Sequence, residues 1–389
     1  MGFCKATQVV AVKEPFVLFC AGEDSGDVLG EAFVQSVVQR GLLPVGTGGN
    51  RMQNAGLVPI AEFDELPVSG FWDVLPRICR LHKIYCKIKK LLCSKNCRAL
   101  VAVDYPGFNV KLCQIAQKIG KPVLYVAPPQ IWAWKSGRAK KLHGANLAVL
   151  FEFEKATYAK MGVDAELLLH PFLLHENLYH TLPYSESRDQ SLETLLLFPG
   201  SRLSQAKRNM PFLGAVARGW LQKKSEREGR NVKLIVSRES LVRPLEECIQ
   251  KMGGVALADV SVQVAPEDSE ERRILYGSAS AALATPGTVT LELALSGTPL
   301  VVATKPDLLT FALGALFVRT RSFAMPNILM GKTMVPEFIG WRSMKMLPNI
   351  LRALESLDPV LSCQLSKDLT ERLSKGFVPD YFINKLISG

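Results

Sequence analysis

Four carboxylates stand where small residues interrupt apolar runs: Glu23, Asp24 and Asp27 in AGEDSGD (21–27), and Asp104 in VDYPGFN (103–109). Carboxylates so placed can take a proton from a hydroxyl, or hold hydroxyls and amines such as those of a sugar. Asp104 directly follows the apolar run ALVAV, and desolvation at the end of a buried strand would raise its pKa toward the range of a general base. The competing reading is an Asp that only opens a turn before Pro106. The three earlier acids would repel a diphosphate, which argues against a phosphate cradle there, although each alone also suits a cap or a solvated charge. Gly22 and Gly26 permit tight turns, and Ser25 or Asp27 can cap the helix that follows.

Two later stretches have the opposite character. LFPGSR (197–202) runs from apolar residues into Pro199-Gly200-Ser201-Arg202. There, backbone N–H groups, a hydroxyl and a guanidinium that stays charged can cradle a phosphate. TPGTVTLEL (285–293) follows the run AALA. Its Gly287-Thr288 turn opens a helix whose N-terminal dipole favours an anion, and Glu292, one turn further on, can accept ribose hydroxyls. Either stretch alone is equally an ordinary turn, with a surface Arg or a surface acid. Together they point to a nucleotide diphosphate. A third loop, APPQIWAWK (127–135), carries Trp132 and Trp134 two residues apart, suited to stacking on sugars, to lipid contact or to a core.

These loops need strands to present them. Short apolar runs recur at Phe16–Cys20, Ala99–Val103, Val123–Val126, Leu195–Phe198, Lys233–Val236, Ala281–Ala284 and Leu300–Ala303, with helical patterns such as Gly30–Arg40 and Val110–Ile119 between them. Continuously apolar strands alternating with helices predict βαβ units and parallel sheets covered on both faces. The polar stretch His175–Leu192 divides the chain. The expected class is therefore α/β, with two Rossmann-like doubly wound domains facing across a cleft. Residues 1–180 are expected to form an N-terminal domain and residues 190–345 a C-terminal one suited to a nucleotide diphosphate. Residues 346–389 are expected to form a helical tail. Proton acceptors would line one wall and cationic or amide donors the other.

The chain has 389 residues, 47 Lys and Arg against 36 Asp and Glu, and a net charge of +11. That excess favours an acidic partner. It concentrates in 71–98, where Leu75, Ile78, His82, Tyr85, Ile88 and Leu92 recur at helical spacing among basic residues. Such a segment is either an amphipathic helix on its own sheet or one resting on an anionic membrane surface; Leu308–Val318 would add an apolar contact. No nucleic-acid signature is present. The nine cysteines form no C-x-x-C pair, the five histidines no zinc spacing, and 22–26 is no nucleophile elbow. No metal or cofactor is expected. The N-terminus lacks a secretory core, and no run reaches the length of a membrane span.

With these loops in hand, the sequence resembles the lipid-A-disaccharide synthases, a bacterial glycosyltransferase family. The likeness rests on AGEDSGD, VDYPGFN, APPQIWAWK, FEKATYAKMGV (153–163), LFPGSR, GTVTLELAL (287–295) and MPNILMGKTMVPEF (325–338) in combination. It implies a GT-B arrangement and transfer of 2,3-diacylglucosamine from UDP to the 6-hydroxyl of 2,3-diacylglucosamine 1-phosphate, with inversion and release of UDP. It further implies that 1–180 is the acceptor-binding and membrane-facing domain and 190–345 the UDP-sugar-binding domain, and that the 346–389 tail packs back on the first domain or is exchanged in a homodimer. It also implies that the protein needs no cofactor and attaches peripherally to the inner face of the cytoplasmic membrane. Carried over by motif position, the base falls on Asp104 and the opening-loop positions on Gly22, Glu23, Gly26 and Asp27, with Ser25 and Asn109 joining this substrate-binding set. The nucleotide-side positions fall on Ser201, Arg202, Gly287, Thr288, Glu292, Asn327 and Glu337. Departures from the family pattern are Leu169, Gln205, Pro286 and Gly340, mostly on the UDP side. The alternative functions are a sugar-lipid binding protein with little or no catalysis, and a UDP-sugar epimerase.

Overall fold

The computed structural model describes residues 13–63, 78–131, 136–173, 192–222, 229–252, 260–306, 322–341 and 343–388. The chain divides into two compact units, residues 1–174 with 373–389, and residues 175–372.

In the first unit β1 (Phe16–Cys20), β2 (Leu43–Thr47), β3 (Val58–Pro59), β4 (Cys97–Val103), β5 (Val123–Val126), β6 (Asn146–Val149) and β7 (Glu166–Leu167) form one sheet. Its order is β3-β2-β1-β4-β5-β6-β7, and every pairing is parallel. The crossovers include α1 (Asp24–Gln39), α2 (Asn50–Asn54), α3 (Ile78–Leu92), α4 (Pro106–Lys118) and α5 (Glu152–Ala159). The five residues of β1 are all buried, as a parallel strand covered on both faces requires.

The second unit repeats the plan. Strands β8 (Leu192–Phe198), β9 (Gly229–Val236), β10 (Val260–Val264), β11 (Ala281–Ala284), β12 (Leu300–Thr304) and β13 (Glu337–Ile339) pair in parallel in the order β10-β9-β8-β11-β12-β13. Helices α6 (Leu203–Gln222), α7 (Val242–Lys251), α8 (Ser269–Gly277), α9 (Val289–Leu295) and α10 (Met325–Met330) connect them. The tail supplies α11 (Ser343–Glu355), α12 (Pro359–Leu373) and α13 (Pro379–Ser388). The first two lie almost wholly in unit 2. The third returns to unit 1, where Phe382, Ile383 and Leu386 are fully buried in the cluster that holds Phe33 of α1.

The two strand orders place the candidate loops. Ligands of open α/β sheets bind beyond the carboxyl ends of the strands where the order reverses. In unit 1 that switch lies between β1 and β4, and in unit 2 between β8 and β11. The stretches at 21–27, 104–109, 199–202 and 285–288 follow those four strands and no others.

Candidate active site

At the crest of unit 1, Asp104 and Tyr105 both adopt left-handed backbone, with φ of 48° and 50°. Ala127, at the end of neighbouring β5, does the same at 49°. A left-handed non-glycine residue costs about 1–3 kcal/mol, and such strain gathers at functional sites. The turn is fastened from three sides. The Asp104 N–H donates to the Val126 carbonyl at 2.9 Å, extending the ladder one residue past β4. The Asp104 carbonyl accepts from Asn109 Nδ2 at 2.8 Å and from the Tyr125 hydroxyl at 3.0 Å. The carboxylate Oδ2 accepts from Ser25 Oγ at 3.1 Å. Pro106 then opens α4, where its fixed φ and missing N–H cost nothing.

The opening loop departs from expectation. The helix begins at Asp24, not near Gly30, so Ser25, Gly26 and Asp27 lie in its first turns. Glu23 is the N-cap and no side chain caps it; Ser25 reaches Asp104 instead. Gly22 packs under the Tyr105 ring, where a Cβ would come within 2.5 Å of the aromatic carbons. Gly26 is buried, and a Cβ there would touch Ala21 at 3.4 Å. Asp27 is buried and turns away from Asp104. Its carboxylate accepts the N–H groups of Arg51 and Met52, both at 3.1 Å, and so braces the start of α2. Burial pushes its pKa up, against the pull of those N–H groups. Burial likewise pushes the Tyr105 phenol up to about 12, with the nearby Cys20 and Glu23 contributing. Asn109 is fully buried, and its Nδ2 holds the carbonyls of Cys20 and Val103 as well as that of Asp104. It is a fastener between strand ends.

Unit 2 presents exposed donors. Ser201 and Arg202 lie exposed after β8, and Gly287 and Thr288 exposed after β11. Gly200 has φ of 113°, a region closed to most side chains. Further cations stand at the same strand ends. Arg238 follows β9 and donates to the Ser201 carbonyl at 3.2 Å. Lys305 follows β12, and its carbonyl accepts from Arg208 of α6 at 3.1 Å. The acids here are engaged. Glu292 pairs with Arg272 at 3.1 Å. Glu337 accepts the N–H groups of Phe323 and Ala324 and the amide of Asn327, at 2.9, 3.1 and 2.6 Å. Asn327 is buried, and its Oδ1 accepts from Met334 and Val335. Asn327 and Glu337 therefore brace one another and the loop around α10. The structure brings together Asp104, Ser25, Asn109 and Gly22 in unit 1, and Ser201 with Arg202, Gly287 with Thr288, and Asn327 with Glu337 in unit 2.

The sequence reading missed Tyr125, Arg238 and Arg272. Tyr125 lies in VLYV, whose apolar run hides a phenol. Arg238 follows a recognised strand and was open to the argument used for Arg202. Arg272 sits in a mixed-charge helix and carries no local signal.

Trp132, Trp134 and the apolar run 308–318 lie outside the described residues, as do 71–77 of the basic stretch. The remainder forms α3, whose apolar face belongs to its own sheet: Ile84, Ile88, Leu91 and Leu92 are buried in the unit 1 core. His82, expected on that face, is exposed. The solvent side of α3 carries four exposed basic residues, Arg80, Lys83, Lys89 and Lys90, beside exposed Cys79, His82 and Cys86. Among the described residues no helix is long and apolar enough to cross a membrane.

Comparison with known proteins agrees with this geometry. The sequence model of the lipid-A-disaccharide synthetase family matches residues 17–372. A lipid-A-disaccharide synthase of Trichlorobacter lovleyi is 33% identical over 332 residues, covering 83% of each chain. Among solved structures, the S. aureus protein MnaA, determined with UDP, superposes with a TM-score of 0.58 at 11% identity, covering 90% of each chain. The calicheamicin glycosyltransferase CalG4 superposes at 0.52 and 13% identity, covering 97% of this chain and 98% of that one. At such identities the superpositions speak for a shared fold, the GT-B type of two doubly wound domains.

Proposed function

We infer the reaction from one premise: this chain belongs to the lipid-A-disaccharide synthetase family, and is a glycosyltransferase of lipid A biosynthesis. The donor is UDP-2,3-diacylglucosamine and the acceptor 2,3-diacylglucosamine 1-phosphate. Asp104 takes the proton of the acceptor 6-hydroxyl as that oxygen attacks the anomeric carbon of the donor from the side opposite UDP. The new glycosidic bond forms as the bond to the diphosphate breaks, and the configuration inverts. The electron pair of the broken bond leaves on UDP. Arg202, Ser201 and the N–H groups of Gly287 and Thr288 stabilise that charge.

One observation carries the reading: a carboxylate at the switch point of unit 1, on a doubly hydrogen-bonded left-handed turn, with Ser25 on its Oδ2. A turn held in so costly a conformation argues that the direction of this side chain matters more than local stability. The decisive assay supplies both lipid substrates to purified protein and follows UDP release in the wild type and in Asp104→Asn. The variant should lose turnover while binding UDP as before, and undiminished turnover would remove Asp104 as the base.

We place the membrane contact, on the inner face of the cytoplasmic membrane, at the exposed basic side of α3. Because its apolar side is already buried, the attraction there is electrostatic, worth about 1 kcal/mol per basic residue near an anionic surface. Binding to phosphatidylglycerol vesicles should weaken steeply with salt. A homodimer that exchanges its C-terminal segments would remake the α13–α1 contacts between chains.

A further inference from the structure

We infer that Tyr125 is a positioning residue for the transfer: its hydroxyl, together with the Asn109 amide, holds the Asp104 carbonyl and thereby aims the Asp104 carboxylate. The inference rests on the proposed role of Asp104 as the base.

A strand that ends in two consecutive left-handed residues does not hold itself. Asp104 and Tyr105 have φ of 48° and 50°, and Tyr105 is bulky, so each contributes strain. If the peptide between them relaxed, the Asp104 side chain would turn with it. Two donors meet at the carbonyl of that peptide, at 2.8 and 3.0 Å, one for each of its lone pairs.

The two donors differ in what else they do. Asn109 Nδ2 also serves the carbonyls of Cys20 and Val103. Its Oδ1 is buried and meets no donor among the described residues. The reverse amide orientation would set that oxygen against three carbonyls. Asn109 is thus a general fastener, and its loss would disturb two strand ends at once. Among the described residues Tyr125 makes a single bond of this kind. It stands in the middle of β5, fully buried, and its hydroxyl reaches sideways past the end of β4. Burial keeps its phenol protonated well above the ordinary range, so it remains a donor wherever the enzyme works.

A phenol in the middle of a fully buried strand is an uneconomical way to fill a core. Phenylalanine fills the same space with no polar atom to satisfy. Among the described residues, the one thing the hydroxyl adds is the bond to Asp104.

The test is a double-mutant cycle of Tyr125→Phe and Asp104→Asn, with kcat and KM measured for each folded protein. Tyr125→Phe keeps the ring, and Asn109 still serves the carbonyl, so the fold should stand. Its kcat should fall about ten- to hundredfold, the size expected for a slightly misaimed catalytic group. Its KM for the sugar nucleotide should stay within about twofold, because the interaction serves the transition state alone. In the Asp104→Asn background the same change should alter the residual rate by less than about twofold, since the group it aims is gone. If Tyr125→Phe melts near the assay temperature, the cycle is run in the cold, where the variant is folded.

Full kcat in Tyr125→Phe overturns the inference. So does an equal fractional loss in both backgrounds, which would mean that the hydroxyl acts on the fold and not through Asp104. Undiminished turnover in Asp104→Asn alone is a different failure, because it removes the base itself. Loss in Asp104→Asn with no effect of Tyr125→Phe leaves the base standing and removes only the aiming.

Discussion

At the switch point of unit 1 the chain sets a carboxylate, a hydroxyl and a buried amide on a strained turn of non-glycine residues. At the same topological position in unit 2 it sets exposed glycine turns, hydroxyls and arginine, with the nearby acids Glu292 and Glu337 engaged by Arg272 and Asn327. One strand order therefore presents two kinds of side-chain environment. A base must be aimed, and aiming calls for rigid, buried supports. A diphosphate is large and highly charged and can be met by flexible donors near a surface. On the proposed roles, the difference between the crests is one between directing one proton and surrounding several oxygens.

The largest effect should come from the aimed group. Asp104→Asn keeps the shape and the Ser25 contact but cannot take a proton, so turnover should drop about 10²–10⁴-fold, the usual contribution of a general base. UDP affinity, read by calorimetry, should hold. If UDP binding fell as far as turnover, the division of labour between the crests would be wrong. Arg202→Ala should show the converse. With Lys305, Arg208 and Arg238 at the same strand ends, loss of one guanidinium should cost about 10–10²-fold in kcat/KM, toward the low end for a stabilising donor, with UDP binding weakened as well. Arg202→Lys should recover part of this, since the charge returns without the fork.

Much of the fold is legible in the sequence alone. The β1, β5 and β11 runs match the observed strands residue for residue, because fully buried parallel strands are apolar without interruption. What escaped the reading escaped for physical reasons. β2 is LPVGT, with a proline and a glycine inside it. β10 is half-exposed along its length, as an edge strand is, so VSVQV carries too little apolar signal. At the candidate site, residue types point to the loops that follow the switch-point strands but not to the direction of each side chain. Asp27 and Asp104 look alike in sequence, yet one braces α2 and the other faces Ser25. Nor does sequence tell that Glu337 caps the loop before α10. Such roles depend on contacts between residues far apart in the chain.

Asp27 sharpens the contrast within unit 1, since an acid that braces should respond to substitution through stability, not rate. Asp27→Asn replaces one of two accepting oxygens with an NH₂ facing a backbone N–H, and should cost about 1–3 kcal/mol with KM unchanged for both substrates. The penalty should depend on pH. Burial raises the Asp27 pKa in the folded state, so the folded protein holds that proton more tightly than the unfolded chain. The resulting stabilisation is fully present below the ordinary carboxylate pKa and is lost as pH climbs through the raised value. The gap in melting temperature between wild type and Asp27→Asn should therefore be widest in acid. A gap that widened toward neutral pH would mean that the ionised form is the favoured one.

The smallest effect concerns how unit 1 is closed. α1 starts beside Ser25 at the site, and just past its far end Arg40 meets α13, pairing with Asp380 at 2.6 Å while Ser36 donates to the same carboxylate at 2.8 Å. These bonds to Arg40 and Ser36 hold the Asp380 carboxyl down at about 2. A carboxyl whose pKa is lowered by folding contributes stability above its ordinary value and loses it as pH falls toward 2. Asp380 is half exposed, so solvent screens the pair and its worth is about 0.2–1 kcal/mol. Asp380→Asn should therefore lower the melting temperature slightly at neutral pH, and the difference should vanish in strong acid. The docking of α13 rests mainly on Phe382, Ile383 and Leu386, which the substitution leaves in place, so kcat should not change. A fall in kcat without loss of fold would show that α1 transmits the state of this latch to Ser25, and that the crest of unit 1 is less rigid than its hydrogen bonds imply.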